Sequence, residues 1–359
     1  MDLKEVRQNI DGIDNQILHL LNQRMDLVKM VGEIKRENKS AIYRPDRERE
    51  IIDRLAGLVE NNIINRAGIE AIFTEIFAVS RNLELPERVA FLGPEGSFTH
   101  QAAESRFGPI SDYLTLPSIR SVFESVESGR ARFGVIPIEN SREGTVVESV
   151  DSLYETNVKI VSELAIDVNF CFASLNDKVH QIKRIYTKDI AFRQCSKFLN
   201  DYFDGKNVEM IAVESTSKAA KMASEDANSA AICSIIGAKL FDLPILFENI
   251  GDSVNNRTRF YIIAKDFDNQ KSEVGDKTTL IAELPHTERA GVLATFLDDF
   301  KQRNINLTKI QNRPYKDRND FSFWFYVEFE GHHSDPAVAE ILEKYQDSIK
   351  LLGSYVKMN

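Results

Sequence analysis

The stretch RVAFLGPEGSFTHQAA, residues 88–103, marks the point at which the fold of this chain changes character. Its first six residues, Arg88–Gly93, form a short apolar run typical of a buried strand, and a turn and a helix follow. Ser97 and Thr99 stand near the start of that helix, where free backbone N–H groups and hydroxyls favour an anion. Because one glycine-containing turn of this kind is a weak signal, the stretch by itself predicts an α/β unit without a particular ligand.

The pattern of apolar and polar residues changes at residue 88. Residues 1–85 carry long helical patterns with few turn residues, whereas residues 88–265 alternate short apolar runs with helices. The polar stretch Asp266–Lys277 reads as a linker, and residues 277–359 form a further compact segment. The pattern therefore predicts a multidomain protein with an all-α segment, an α/β segment and an α+β segment.

Composition is that of a globular protein, with 359 residues of which 43% are hydrophobic. The net charge of −10 argues against a sequence-independent nucleic-acid binder, so any anion site must be a local concentration of Arg and Lys. No apolar run approaches the roughly 18 residues of a membrane span, and the first residues do not resemble a signal peptide. Cys171, Cys195 and Cys233 are far apart, which suits reduced thiols in the cytoplasm, and no metal-site spacing is present.

Apolar residues recur at three- and four-residue spacing from Val6 to Ile34. This spacing predicts one helix of more than about 30 residues, close to 50 Å long at 1.5 Å per residue. A helix of this length cannot bury its apolar stripe alone, so we expect a bundle and an intertwined homodimer or higher homo-oligomer. Pro45 suits the first turn of a second helix, and a third is predicted over about residues 67–85.

Several polar residues fall on the apolar faces of these helices. Arg24 and Lys35 lie within about 20° of each other around the first helix. Glu48 shares the apolar row of the second helix, and Ser80 and Glu84 continue that of the third. An unpaired buried charge is costly, so these groups must meet partners or a ligand. Two interpretations stay open, namely a structural ion-pair network and a pocket for a small dianion.

The spacing of these residues resembles the all-helical chorismate mutases, over residues 1–85. That resemblance implies rearrangement of chorismate to prephenate without covalent catalysis, with the enzyme supplying the reactive conformer and positive charge near the ether oxygen. It further implies that arginines bind the two carboxylates of chorismate, that Lys35 and Glu84 hydrogen-bond the ether oxygen, and that Glu48 orients the hydroxyl. The matched positions are Arg7 (from the partner subunit), Arg24, Lys35, Arg47, Glu48, Ser80 and Glu84.

Position 84 is often Gln in that family, whereas this chain has Glu84. A carboxyl group facing an ether oxygen must be protonated to donate a hydrogen bond. We therefore expect mutase activity to fall as the pH rises toward about 8, and Glu84→Gln to flatten the profile. Chorismate consumption measured across the neutral range checks this, and a flat wild-type profile would contradict it.

Polar residues follow predicted strands at further places in the middle segment, and such groups collect in a crevice at the strand ends of an α/β sheet. The strings GPEGSFTHQAA, IPIENSREGTV, ESTSKAA and NRTRF begin at Gly93, Ile136, Glu214 and Asn256. Taken together they resemble prephenate dehydratase over residues 88–265. The resemblance implies two α/β lobes like those of a periplasmic binding protein, with the site in the cleft between them.

The implied reaction removes CO2 and the ring hydroxyl of prephenate together, and needs neither metal nor cofactor. By resemblance, Thr258 is the essential hydroxyl beside the leaving group, and Arg259 is the cation for a carboxylate. A threonine hydroxyl is a weak acid, so whether Thr258 donates the proton or orients another donor stays open. The residues matched to prephenate binding are Glu139, Asn140, Ser141, Gln194, Ser215, Thr216, Thr258 and Arg259.

The last segment, residues 277–359, reads as βαββαβ, the order of a ferredoxin-like fold, and resembles an ACT regulatory domain. Phenylalanines alternate with mostly polar residues over 321–329, which predicts an amphipathic strand. In dehydratases this domain binds phenylalanine at a dimer interface, and Gln311 and Asn312 stand where the family has Glu-Ser. The residues matched to the effector site are Ala290, Gly291, Val292, Leu293, Asn312, Arg313 and Pro314.

The three resemblances predict a bifunctional enzyme of phenylalanine biosynthesis with phenylalanine as its effector. Two alternatives stay open, because the same cleft could accept the transaminated substrate arogenate, or the chain could be a non-catalytic ligand-binding or regulatory protein. Retention of Thr258, Arg259 and the mutase set argues against the second. Formation of phenylpyruvate from chorismate tests both predicted sites at once.

Overall fold

The computed structural model describes residues 2–37, 45–59, 63–84, 88–109, 111–205, 207–253, 255–272, 275–285, 290–316, 318 and 321–358. The chain divides into two compact units. The first comprises residues 1–87 with 106–112, and the second comprises 88–105 with 113–359. Within the described ranges, no helix combines the length and the apolar character needed to cross a bilayer.

The first unit contains the helices α1 (Leu3–Glu37), α2 (Pro45–Ala56) and α3 (Arg66–Glu84). The predicted long first helix is confirmed as one element of 35 residues. Asp2 and Glu5 cap its start reciprocally, each side chain accepting the backbone N–H of the other at 2.8–2.9 Å. Pro45 begins α2 as predicted, and α3 packs against both other helices.

Helix α1 leaves its apolar stripe uncovered within the chain. Ile13, Ile17, Leu27 and Ile34 are each at least half exposed, and Ile17 alone is 50% exposed. A contiguous apolar stripe of this length on a soluble surface marks an interaction site rather than a solvated face. The predicted oligomer stays a prediction and is taken up below.

The second unit begins with two α/β lobes. Their elements are β1 (Arg88–Leu92), α4 (Phe98–Phe107), β2 (Asp112–Leu116), α5 (Ile119–Glu127), β3 (Phe133–Asn140), β4 (Gly144–Thr145), α6 (Val147–Glu155), β5 (Lys159–Asp167), β6 (Cys171–Ala173), β7 (Arg184–Thr187), α7 (Asp189–Gln194), α8 (Ser196–Phe203), β8 (Glu209–Ala212), α9 (Thr216–Ser224), β9 (Ser229–Cys233), α10 (Ile235–Leu240), β10 (Ile245–Phe247) and β11 (Arg257–Ala264).

Each lobe has its own mixed sheet and its own core. The first sheet has the order β2-β1-β3-β11-β5, with β4 paired to β3, and the second has the order β10-β6-β9-β7-β8. The chain enters the second lobe after β5 and returns to the first through β11, which is antiparallel to both β3 and β5. The predicted succession of an all-α segment and an α/β segment is confirmed. Strand β11 therefore belongs to the first lobe, although it comes after the second lobe in the sequence.

The last part of the second unit is a βαββαβ segment, as predicted. Its elements are β12 (Asp276–Ala282), α11 (Val292–Gln302), β13 (Leu307–Pro314), β14 (Phe323–Glu330), α12 (Pro336–Lys344) and β15 (Ile349–Val356). The sheet has the order β13-β14-β12-β15 and is antiparallel throughout. Phe296 of α11 and Ile341 of α12 share a core with Phe325, Val327 and Phe329 of β14, so both helices cover the same face.

Two predictions for this segment are wrong. The predicted linker extends to Lys277, but Asp276 and Lys277 begin β12, and Lys277 is buried because Glu163 neutralises its charge at 2.9 Å. The strand predicted to be amphipathic is buried on both faces, since Trp324 and Tyr326 pack into the core of the first lobe. Gly353 of β15 permits this packing, because a Cβ atom there would lie 2.3 Å from the carbonyl oxygen of Ile160.

Candidate active sites

Arg24 and Ser80, two residues of the predicted chorismate site, meet in the helical unit. The Arg24 Nη1 atom donates to Ser80 Oγ at 2.5 Å, and Ser80 Oγ donates to the carbonyl of Ile76 at 2.7 Å. The Arg24 guanidinium also stands 5.8 Å from the centre of the Phe77 ring. The α1 and α3 faces that carry these groups are therefore joined as the helical spacing indicates.

Glu48 is held by arginines that the sequence analysis did not assign to this site. It forms an ion pair with Arg81, and Arg106 of the same unit approaches it at 3.9 Å. Arg81 also donates to the backbone carbonyl of Arg106 at 2.9 Å and is only 6% exposed. Glu48 thus has a structural ion pair with Arg81, whereas the predicted network among Arg24, Lys35 and Glu48 stays a prediction because the side chain of Lys35 lies outside the described residues. Sequence reasoning missed Arg81, although it directly follows Ser80.

Of the remaining predicted residues of this site, the structure describes the side chains of Arg7 and Arg47. Arg47 pairs with Glu50 of its own helix at 2.8 Å, and its side chain is 63% exposed. Arg7 lies on the exposed surface of α1. The side chains of Lys35 and Glu84 lie outside the described residues, although α1 and α3 include both positions. Their roles and that of Arg7 stay predictions.

Thr258 and Asn140 form the centre of the predicted dehydratase site. They are cross-strand partners on β11 and β3, and Asn140 Nδ2 donates to Thr258 Oγ1 at 2.8 Å. The orientation of the amide is fixed because its Oδ1 accepts the backbone N–H groups of Arg142 and Glu143 at 2.9 and 3.1 Å. Since Thr258 Oγ1 accepts from Asn140, its own proton is available to an acceptor in the cleft.

Asn256 extends this network into the second lobe. Its Oδ1 accepts from Asn140 Nδ2 at 3.0 Å, and its Nδ2 donates to Gln194 Oε1 at 3.1 Å. Gln194 ends α7 of the second lobe, so hydrogen bonds connect the two lobes beside Thr258. Asn256 is 6% exposed and was missed as a site residue, although it is the first residue of the NRTRF string.

Three other predicted residues have local structural partners. Ser141 Oγ donates to the Asn255 carbonyl and accepts the Arg257 N–H, both at 3.0 Å, which fixes the turn before β11. Ser215 caps α9 by accepting the Lys218 N–H at 3.0 Å, and Thr216 is the first residue of that helix. These hydrogen bonds are local to the turn before β11 and to the start of α9, and the roles of the three residues in prephenate binding stay predictions.

The Pro-Glu-Gly turn of the opening stretch inserts between α9 and α10 of the second lobe. Ser217 donates to the Glu95 carbonyl, and Ser234 donates to the Gly96 carbonyl at 2.6 Å. Gly96 has φ of +77°, and a Cβ atom there would lie 2.8 Å from Ser217 Oγ and 3.0 Å from the Cα of Gly237. Glycine is therefore required at this position, and Ser217 and Ser234 are contacts that sequence reasoning missed.

His100 is part of this turn and serves as a structural acceptor. Its Nδ1 accepts the Gly96 N–H at 3.1 Å, and its ring stacks on Phe91 with centroids 4.7 Å apart. Burial lowers the pKa of His100, and the charge of Glu95 offsets only part of that effect. The neutral ring is the form that accepts this hydrogen bond, so His100 is not suited to act as the proton donor.

Arg259 and Glu139 do not lie with Thr258, although the resemblance assigns all three residues to prephenate binding. Consecutive strand residues point to opposite faces of a sheet, so Arg259 faces away from the Thr258 network. Its guanidinium binds both oxygens of Glu328 at 2.7 Å and contacts Glu163 at 3.1 Å and Glu139 at 3.0 Å. Arg259 therefore pairs through Nη1 and Nη2 with three carboxylates of the protein itself, and Glu139 shares that face.

The C-terminal segment contains a cavity of about 650 Å³ between α11 and the sheet. Its lining residues are Gly291, Val292, Leu293, Ala294, Ile310, Gln311, Asn312, Phe323 and Phe325. Four predicted effector residues are thus brought together, whereas Ala290, Arg313 and Pro314 lie outside the lining. Arg313 is directed elsewhere because both its Nε and Nη2 bind the carboxylate of Asp151 at 2.9 Å.

Comparison with known proteins gives the same division. A prephenate dehydratase family model matches residues 89–268, and a chorismate mutase type II model matches residues 6–85. The bifunctional chorismate mutase/prephenate dehydratase of Aquifex aeolicus is 38% identical, covering 99% of this chain and 98% of that relative, and the Pseudomonas aeruginosa enzyme is 34% identical with the same coverage. The solved prephenate dehydratase of Arthrobacter aurescens in complex with L-Phe is 28% identical, with a TM-score of 0.66, covering 75% of this chain and 90% of that one.

These matches agree with two separate groups of polar residues, one in a helix bundle and one between two α/β lobes. Each relative carries both activities in one chain, and its length is covered almost completely. The chain belongs to the family of bifunctional chorismate mutases/prephenate dehydratases.

Proposed function

We propose that this enzyme of phenylalanine biosynthesis uses Thr258 to assist departure of the ring hydroxyl of prephenate. The supporting observation is the hydrogen bond from Asn140, which occupies a lone pair of Thr258 Oγ1 and leaves the hydroxyl proton available for donation. The bond between the ring and its carboxylate breaks, and its electrons complete the aromatic ring while the carbon–oxygen bond to the hydroxyl breaks. The leaving hydroxide becomes water with the proton of the Thr258 hydroxyl, which solvent water returns to Oγ1, and CO2 and phenylpyruvate are the other products.

The cleft favours this reaction by positioning rather than by covalent chemistry. Thr258 is 9% exposed and Asn256 is 6% exposed, so the leaving oxygen would sit in a site with little water. The network from Asn140 through Asn256 to Gln194 holds the Thr258 hydroxyl in place before substrate arrives.

Paired assays with prephenate and arogenate decide which of the two substrates the cleft prefers, because the described contacts do not distinguish a keto from an amino side chain.

We propose that chorismate binds in the helical unit with Arg24 on one of its carboxylates. Ser80 orients the guanidinium from α3, and the Phe77 ring beneath it excludes water from one side. A guanidinium that is oriented before the substrate arrives and shielded from water binds a carboxylate more strongly than one in bulk water. Arg7 from a partner subunit, with Lys35, Arg47, Glu48 and Glu84, completes the proposed site.

The proposed partner subunit is a second copy of the chain, packed along the exposed stripe of α1. Replacing Ile17 with glutamate places a charge in this stripe, so we expect loss of the helical-unit dimer and of most mutase activity. His19→Glu is the matched control, because two residues along a helix correspond to a turn of about 200°. Sedimentation and chorismate consumption provide the readouts. An Ile17→Glu enzyme with unchanged mass and mutase activity would contradict the proposal.

We propose that the C-terminal segment is an ACT domain and that its cavity binds phenylalanine. Phe323, Phe325 and Ile310 offer apolar contacts to an aromatic ring, and Gln311 and Asn312 offer polar groups to the amino and carboxylate ends. The solved relative from Arthrobacter aurescens was obtained in complex with L-Phe. A purely structural role of this segment in dimerisation is the alternative.

Replacement of Gly291 with valine is expected to weaken phenylalanine binding at least about tenfold. Gly291 lines the cavity at φ of +91°, a conformation that a β-branched residue adopts only under strain. Isothermal titration of the full chain with L-phenylalanine measures the change, and Gly129→Ala, at an exposed turn in the first lobe, is the control. Absence of binding to the wild-type chain would remove the effector role.

We propose that this protein is located in the reducing environment of the cytoplasm, because its cysteines are thiols. Cys171, Cys195 and Cys233 are unbridged and buried. Cys171 and Cys233 are opposite each other on β6 and β9 with their sulfurs 3.8 Å apart, and remain thiols. Such a pair suits a compartment in which thiols are kept reduced.

A further inference from the structure

Six charged residues form a partly buried group between the first lobe and the C-terminal sheet, which we name the Arg259 cluster. Its members are Arg259, Lys277, Lys309, Glu139, Glu163 and Glu328. The side chains of Glu163 and Glu328 are 0% and 1% exposed. Burying charged groups carries a large desolvation cost, which their mutual ion pairs offset without adding much stability. The Arg259 cluster is thus better suited to fix the relative positions of the strands that carry it than to stabilise the fold.

Glu328 is the central acceptor of this cluster. Besides binding Arg259 through both oxygens, it accepts from the hydroxyls of Tyr261 and Tyr326, each at 2.8 Å. Burial by itself raises the pKa of Glu328, but the hydrogen bonds and charge of Arg259, with Lys277, lower it to about 2. Glu328 is therefore ionised at any physiological pH, and the cluster is a permanent electrostatic link.

At one end, the cluster contacts the two strands that carry the dehydratase network. Arg259 follows Thr258 on β11, and Glu139 precedes Asn140 on β3. The two pairs are in register across the strands, Thr258 opposite Asn140 and Arg259 opposite Glu139. The ion pairs on one face thus fix the strand ends whose other face holds the Thr258 hydroxyl.

At its other end, the cluster contacts the two strands that line the effector cavity. Glu328 lies on β14 three residues beyond Phe325, and Phe325 lines the cavity. Lys309 on β13 immediately precedes Ile310, which also lines the cavity, and Lys309 Nζ binds Glu139 Oε1 at 2.8 Å. Lys309 and Glu328 are themselves cross-strand partners. A shift of either strand on filling the cavity is transmitted to Glu139 and Arg259.

We propose that Arg259 is a positioning residue for Thr258 and that the pairs Glu328–Arg259 and Lys309–Glu139 carry the effect of an occupied cavity to the dehydratase site. The second part rests on the proposed role of phenylalanine as effector. The mechanism requires only small displacements, because a misplacement of about 1 Å at a catalytic group can lower its rate about 100-fold.

Lys309→Met tests whether the Lys309–Glu139 pair carries the effect of an occupied cavity to the dehydratase site. Lys350→Met is the matched control. Lys350 also docks the C-terminal segment on the first lobe, but its hydrogen bonds go to the carbonyls of Leu153, Tyr154 and Thr156 at the end of α6. We expect Lys309→Met to bind L-phenylalanine with wild-type affinity while inhibition of phenylpyruvate formation weakens about tenfold. Lys350→Met should retain both binding and inhibition.

Glu328→Gln tests the positioning role without any effector. We expect the dehydratase kcat to fall about 10- to 100-fold with little change in KM, because substrate contacts remain and Thr258 loses its alignment. Mutase activity of the same chain is the internal control for concentration. Thermal unfolding confirms that the second unit is folded at the assay temperature, and Lys309→Met, at the more exposed end of the cluster, provides a milder variant if Glu328→Gln is unstable.

The outcomes test the proposed route through Lys309 and Glu139 separately from the proposed role of phenylalanine as effector. Full inhibition of Lys309→Met, or equal loss in Lys350→Met, would overturn the route through Glu139. If the wild-type chain binds no L-phenylalanine, the effector assignment fails, and the kcat of Glu328→Gln still decides the positioning role. An unchanged kcat in a folded Glu328→Gln enzyme would overturn that role.

Discussion

Replacement of Thr258 by valine is expected to lower the dehydratase kcat about 10³-fold or more, because valine keeps the shape and removes the hydroxyl. The leaving oxygen then loses the donor that Asn140 holds in place at 2.8 Å. Thr258→Ser restores a hydroxyl at the same Cβ atom and should recover most of the activity. Phenylpyruvate formation from supplied prephenate provides the measurement.

The same substitution should have little effect on folding. Asn140 Nδ2 keeps two other acceptors, Asn256 Oδ1 at 3.0 Å and the Arg257 carbonyl at 3.2 Å, so no buried donor is left unsatisfied. The expected loss of stability is therefore about 1 kcal/mol, the usual value for one neutral hydrogen bond. Mutase activity in the same chain should be unchanged. A Thr258→Val enzyme with near-wild-type turnover would show that another group delivers the proton.

Replacement of Arg24 by methionine is expected to lower mutase kcat/KM about 100- to 1000-fold, since a preorganised cation is lost from a site shielded by Phe77. Methionine fills much of the space of the arginine stem and keeps the apolar contacts of α1 with α3. Chorismate consumption measures the loss.

Two controls accompany the Arg24 variant. Lys29→Met removes a cation from an exposed position of α1 and should leave mutase activity unchanged. Dehydratase activity with supplied prephenate should also be unchanged, because Thr258 lies in the other compact unit. Equal losses in Arg24→Met and Lys29→Met would mean that general positive charge, not a bound carboxylate, is what the mutase requires.

Local patterns predicted the helices and strands well. The spacing of Val6 to Ile34 indicated one helix, and α1 runs from Leu3 to Glu37. The alternation over residues 321–329 indicated a strand, and β14 runs from Phe323 to Glu330. Both follow from periods of 3.6 and 2 residues that the backbone imposes on any chain. The same alternation could not show that both faces of β14 are buried, because the covering lobe is remote in sequence.

The site residues were predicted less completely, for two physical reasons. A motif groups neighbours in the chain, whereas the pleat of a strand directs Thr258 and Arg259 to opposite faces. Ion pairs also join residues that no spacing rule connects, as Glu48 with Arg81 and Arg259 with Glu328 show. Arg259 was therefore expected to bind substrate, whereas the structure gives it three carboxylates of its own chain.

The sequence alone determined the succession of helical, α/β and βαββαβ segments and the motifs that resemble the two enzyme families. These depend on periodicity and on short strings, which are local properties of the chain. Only the tertiary structure decided that Asn140 orients Thr258, that Arg81 holds Glu48, and that Arg259 is committed to Glu328. Each depends on strand register or helix packing across many residues, and a buried charge takes its role from the partner that folding places within about 3 Å of it.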